Sequence, residues 1–251
     1  MLYFYALSIT FAATSILTIA GVGAAFILIP IYLALGVELH TAMSTALLLN
    51  GISMMFASVT FIRDKLVLWK LALPILVTAT ILSPIGAYAS QYIPRSWLLV
   101  LFIIFLLFAA SMMLFYVPST YRKISENQCR NVLFTVGVPI GGSAGFIGGL
   151  LGVGGGNIIV PALVWLGIPP RNASATSAFI VIFSSFAGFA GRASIGNLDS
   201  KLLFYTVCGS VLGAVVGAWL MSRKMQNKQV KIVIGVFLYV TAAKMIFDLF
   251  K

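Results

Sequence analysis

Charged residues fall in clusters along this chain, and eight long runs between them contain no Lys, Arg, Asp or Glu. The runs cover residues 1–37, 39–62, 71–94, 96–121, 131–170, 172–191, 202–222 and 232–243. A helix of about 20 apolar residues crosses the roughly 30 Å hydrocarbon core of a bilayer. The pattern therefore predicts an all-α polytopic integral membrane protein. The last run is short, but Lys231 and Lys244 can snorkel and extend it. The hydrophilic segment 119–130, STYRKISENQCR, divides the runs four and four.

The first run of each half is too long for one straight span. Residues 3–36 would make a helix of about 51 Å. Glycines interrupt the run midway, at Gly21 and Gly23 in the first half and at Gly152, Gly154, Gly155 and Gly156 in the second. The expectation is two shorter helical pieces joined by an unwound glycine turn. Non-helical backbone at membrane depth persists only where protein or a wet cavity covers it. The turn thus marks an interior.

The two halves also repeat in sequence. AGVGAAFILIP at 20–30 and LGVGGGNIIVP at 151–161 align at an offset of 131, pairing Gly21, Val22, Gly23, Ile27 and Pro30 with Gly152, Val153, Gly154, Ile158 and Pro161. The register continues without a gap through Thr45/Thr176, Lys70/Lys201 and Gly86/Gly217. This predicts two homologous four-segment repeats, residues 1–118 and 131–251, joined by the 119–130 linker. Duplicated apolar units with broken helices are a common transporter build. If each broken stretch crosses once, the repeats run parallel and the 16 Lys and Arg divide 10 to 6 between the faces. If it turns back, the repeats are inverted. One face then keeps only Arg95, Arg192, Lys201, Lys244 and Lys251, leaving 11 of the 16 on the other. The positive-inside rule favours the inverted arrangement, with both termini outside. The number of crossings is open between eight and ten.

Composition agrees with this reading. The chain is 61% hydrophobic and 8% charged, against about 25% charged in a soluble domain. A net charge of +11 would suggest nucleic acid in a soluble protein. Here the cations flank apolar spans, where they set topology and meet anionic lipid. Nucleic-acid binding is therefore not expected. Cys129 and Cys208 form neither a CxxC pair nor a metal site. The start, MLYFYAL, lacks a basic n-region, so the first span is expected to be retained.

The chemistry available is that of an anion site. Glycine exposes backbone N–H groups, and a helix starting after the turn directs its positive dipole end inward. Gly21, Gly23, Gly152, Gly154, Gly155, Gly156 and Asn157 are the backbone candidates. The second helix of each half opens with polar clusters: Thr41, Ser44, Thr45 and Asn50, then Asn172, Ser174, Thr176 and Ser177. From these, Thr45, Thr176 and Ser177 are the hydroxyl candidates. Lys70, Lys201 and Arg192 would supply long-range attraction. His40 and Arg171 occupy equivalent loop positions and read as solvated. All five carboxylates (Glu38, Asp64, Glu126, Asp199 and Asp248) lie near span ends or in loops, which argues against a carboxylate proton relay or sodium site. There is no HExxH, Ser–His–Asp or Walker pattern, so no enzymatic activity or cofactor is expected.

Two four-span units, each opening on G-x-G-G-G-x-x-x-x-P or a degenerate form, followed by L-G, a short loop and A-x-x-T-S, resemble the TauE/SafE sulfite exporter family. The resemblance is strongest over residues 148–177, and weaker in the first copy, where AGVGAA lacks the glycine run. It implies plasma-membrane transport of sulfite, sulfonates or related sulfur-containing anions. The expected partners are thus a small anion and the lipid bilayer, with homo-oligomerisation open. A passive anion channel and a membrane-embedded binding or assembly protein are the alternatives.

Overall fold

The computed structural model describes residues 2–23, 39–90, 136–192 and 200–249, with single positions between 25 and 32 and between 92 and 114. The 119–130 linker lies outside the described residues. Eight helices and no strand occur among the described residues: α1 (Leu2–Ile19), α2 (Leu39–Arg63), α3 (Trp69–Ala89), α4 (Val138–Leu151), α5 (Gly156–Trp165), α6 (Pro170–Arg192), α7 (Ser200–Arg223) and α8 (Asn227–Leu249). Four of them, α2, α3, α6 and α7, are long and apolar enough to cross a membrane.

Polarity is arranged for lipid outside and protein inside. Leu73, Val77, Ile81, Ile85 and Tyr88 form an exposed apolar stripe down α3, and Ile232, Val236 and Val240 do the same on α8. The i, i+4 spacing puts each set on one helix face. An aqueous protein would not leave such continuous apolar faces uncovered. The interior instead holds many small hydroxyl and amide side chains, including Thr14, Ser44, Asn50, Ser83, Ser174 and Ser177.

α2 and α6 form the buried centre and pack on each other. The end of α2 adjoins the start of α6. Asn172 Nδ2 donates to Leu66 O at 2.9 Å, and Leu68 N donates to Thr176 Oγ1 at 3.1 Å. α7 ends on this same face: Arg171 donates to Ser222 O, and Arg223 sits 3.7 Å from Asp64. Hence α2 and α7 run toward this first face, whereas α3 and α6 start from it. Helices that correspond at the 131 offset, α2 with α6 and α3 with α7, therefore run in opposite senses.

The glycine-broken stretches occupy the seams around this centre. α4 lies parallel to α3, with Gly141 against Ile75, Gly145 against Ala79 and Gly149 against Ser83. α1 lies parallel to α7, with Gly209 against Leu7, Gly213 against Phe11 and Gly217 against Ser15. Glycines at every fourth position let backbones approach closely where lipid gives no hydrophobic drive to association.

α4 stops at Leu151. Gly152 takes a left-handed φ of 72°, and the chain folds back until Gly155 (φ 81°) lies against Ala144, two turns earlier in α4. α5 then returns to the face where α6 begins. It has 10 residues, about 15 Å of helix, half the thickness of the hydrocarbon core. The stretch is a re-entrant hairpin. α1, parallel to α7, approaches from the opposite face. Both glycine turns thus lie toward the middle of the bundle.

Candidate functional site

The two glycine turns close in the same way. Gly21 N donates to Thr18 O (3.0 Å) and Val22 N to Leu17 O (3.2 Å), while Gly152 N donates to Gly149 O (3.2 Å) and Val153 N to Gly148 O (2.9 Å). Each is a Schellman closure, in which a left-handed glycine turns the last N–H groups back onto the helix's free carbonyls. Gly154 N also reaches Gly148 O, at 3.3 Å. These N–H groups are therefore committed to the helix ends. The backbone donors left in the turns are Gly23 and Gly155, which make no backbone bond among the described residues, and Gly156 and Asn157. The last two lie in the first turn of α5, where a helix has no internal acceptors for them.

The turns meet each other. A methyl group added at Gly156 would lie 2.8 Å from Val22 Cα and 2.9 Å from Gly21 O. α6 holds both turns by their carbonyls: Ser177 Oγ donates to Gly21 O at 3.0 Å, and Ser184 Oγ to Gly154 O at 2.8 Å. From α2, the Asn50 amide spans the pair. A methyl on Gly23 would overlap Asn50 Oδ1, and one on Gly154 would lie 2.8 Å from Asn50 Nδ2. Asn50 Nδ2 donates to Ser185 Oγ at 3.0 Å.

This cluster contains polar atoms that are buried and unpaired. Asn157 is 1% exposed, and neither its Oδ1 nor its Nδ2 has a partner. Asn50 Oδ1 and Ser174 Oγ are also buried without a partner. An amide or hydroxyl left this way costs about 1–3 kcal/mol each, a penalty that a bound polar ligand would relieve. Among the described residues Lys231, on α8, is the only buried charged side chain. The site is neutral and rich in donors.

Other sequence candidates sit elsewhere. Thr45 Oγ1 donates back to Thr41 O at 2.8 Å. Thr176 Oγ1 accepts from the α2–α3 connection. Lys70 starts α3 on the first face, exposed, and Lys201 starts α7 on the opposite one. Arg192 donates to Gly149 O (2.8 Å) and Leu150 O (3.1 Å), carbonyls of the last turn of α4 where it enters the second glycine turn. A cation there adds donors to the carbonyl end of the helix and complements its dipole. Arg192→Gln is expected to lower stability by about 2 kcal/mol, measured by thermal unfolding in detergent. Arg192→Lys should recover about half of that, because one point charge replaces a planar fork.

Ser184 and Ser185 were not among the sequence candidates. Their signal was a pair of hydroxyls inside the apolar run 172–191. Asn50 and Ser174 belong to the polar clusters that open the second helix of each half, and the fold brings both to the turns.

Comparison with known proteins bears on this geometry. A family model described as "Sulfite exporter TauE/SafE" matches residues 6–245. The chain is 28% identical to the probable membrane transporter protein YunE of Bacillus subtilis, over 92% of each chain. It is 26% identical to the probable membrane transporter protein YdhB of the same organism, over 88% of this chain and 89% of that one. Sulfite exporter TauE/SafE family protein 6 of Arabidopsis thaliana is 30% identical over 48% of this chain and 28% of its own length. No solved structure gives a significant match.

Proposed function

Because the chain belongs to the TauE/SafE sulfite exporter family, we propose that this membrane transporter carries sulfite, an organosulfonate or a related small sulfur-containing anion across the plasma membrane by alternating access. The observation that carries this reading is the meeting of the two glycine turns. α1 and the α4–α5 hairpin enter from opposite faces, and their glycine turns touch beside the unpaired Asn157, Asn50 and Ser174. The N–H groups of Gly23, Gly155, Gly156 and Asn157 would bind the anion, with the α5 dipole behind them. Movement of one hairpin against the α2–α6 centre would expose the turns to one face at a time.

The antiparallel run of corresponding helices supports inverted repeats. The first face carries Arg63, Lys65, Lys70, Arg171, Arg223 and Lys224, whereas Arg192 and Lys201 lie at the other. The positive-inside rule makes the first face cytoplasmic. Lys70 and Lys201, on opposite faces, would attract anions toward the two entrances. With no carboxylate at the site among the described residues, proton coupling would travel on a weakly acidic substrate.

Proteoliposomes loaded with unlabelled sulfite are expected to accumulate labelled sulfite from outside. Saturable counterflow supports a carrier. Flux that never saturates, with single-channel currents, would replace it with a channel. Absence of flux for every small anion tried, from folded protein, would remove the transport reading.

A further inference from the structure

Asn50 places a buried, unpaired hydrogen-bond acceptor on the first glycine turn, in addition to the one carried by Asn157. Its amide lies across both glycine turns, with Nδ2 donating to Ser185 Oγ at 3.0 Å. That leaves Oδ1 on the Gly23 side, fully buried and without a partner. The corresponding position in the second half is Val181, whose Cγ1 would lie 3.2 Å from a methyl on Gly154. At this position the first half therefore carries an acceptor where the second half is apolar. A carbonyl oxygen held there repels the lone pairs of a fully deprotonated oxyanion. An oxyanion satisfies it by bringing its own proton.

We infer that the ligand of this site is a singly protonated oxyanion: one hydroxyl donates to Asn50 Oδ1, and the remaining oxygens accept from Gly23, Gly155, Gly156 and the Asn157 amide. The inference rests on the transport reading above and narrows it. Hydrogen sulfite fits. A sulfonate, which has no O–H at neutral pH, does not, and neither does the sulfite dianion. A site that hydrogen-bonds a ligand hydroxyl rejects analogues lacking it strongly, because its buried polar group is then left unpaired.

The test is inhibition of labelled-sulfite counterflow in proteoliposomes, at a pH where sulfite is mainly singly protonated. Hydrogen sulfite and dihydrogen phosphate are set against nitrate and methanesulfonate, which carry the same charge without a hydroxyl. The expected result is at least about 100-fold weaker inhibition by the hydroxyl-free pair. Asn50→Val, which copies position 181, should reduce that ratio below about tenfold by weakening the hydroxyl-bearing anions alone. Ser185→Ala removes the acceptor of the Asn50 Nδ2 bond. It should also reduce the ratio, and it supplies the variant reading if Asn50→Val does not fold. Equal inhibition by both classes, or stronger inhibition by nitrate and methanesulfonate, would overturn the inference while leaving an anion carrier. No counterflow at all from folded wild-type protein would instead defeat the transport reading on which it rests.

Discussion

Gly21→Ala is expected to abolish counterflow and to lower the stability of the folded protein by about 3 kcal/mol. Two independent costs add here. Gly21 has φ 71°, and an L-residue in the left-handed region loses about 1–2 kcal/mol. The added methyl would also lie 2.5 Å from both Ser174 Cα and Ser174 O. Those are backbone atoms of α6, which cannot rotate away as a side chain can, and overpacking of this kind costs about 1–3 kcal/mol. Any relief moves the turn off α6 and strains the Ser177–Gly21 hydrogen bond. Stability by thermal unfolding and flux by counterflow should therefore fall together. Gly137→Ala is the matched control. Its methyl would meet Pro74 Cγ at 3.5 Å, an ordinary contact, and its φ of −65° suits any residue. A change within about 0.5 kcal/mol is expected there.

Asn157→Leu should do the opposite to stability. Asn157 is almost completely buried, and both of its amide atoms lack partners. Replacing it with an apolar side chain of similar size removes that desolvation penalty and raises stability by about 1–3 kcal/mol. Counterflow should nevertheless fall at least about 100-fold, because a buried donor to the anion is lost. A residue kept for packing would lose stability and activity together. A binding residue trades one for the other. If Asn157→Leu is less stable yet still transports, Asn157 belongs to the packing and the site lies elsewhere.

Much of the architecture can be read from residue pattern. Charge-free runs locate the helices, and Gly21–Gly23 and Gly152–Gly156 mark the breaks, because Gly21, Gly23, Gly152, Gly154 and Gly155 take a positive φ that other residues rarely adopt. Which N–H groups remain available cannot be read that way. The Schellman closures commit Gly21, Val22, Gly152 and Val153 to their own helix ends, and only the geometry separates them from Gly23, Gly155, Gly156 and Asn157. Arg192 looks like an attractor of anions in sequence. In the fold it closes the end of α4, a role set by a partner 43 residues away. Thr176 likewise carries a hydroxyl suited to a ligand, but it holds Leu68 instead. Asn50, Ser184 and Ser185 enter the site through contacts between helices far apart in sequence, and a local pattern contains no trace of those.

The central claim is that the two glycine turns meet at one water-accessible site inside the membrane. Val22 and Val153 test it most directly. Each lies within a turn, each is under 5% exposed, and each already carries a side chain that cysteine replaces with little change in volume. In protein lacking Cys129 and Cys208, Val22→Cys and Val153→Cys are made separately and exposed to a membrane-impermeant maleimide. The excess is removed before counterflow is measured. Both cysteines should react, and modification of either should stop counterflow. If both resist labelling in protein that still transports, or if labelled protein transports normally, the turns are structural and the anion takes another path.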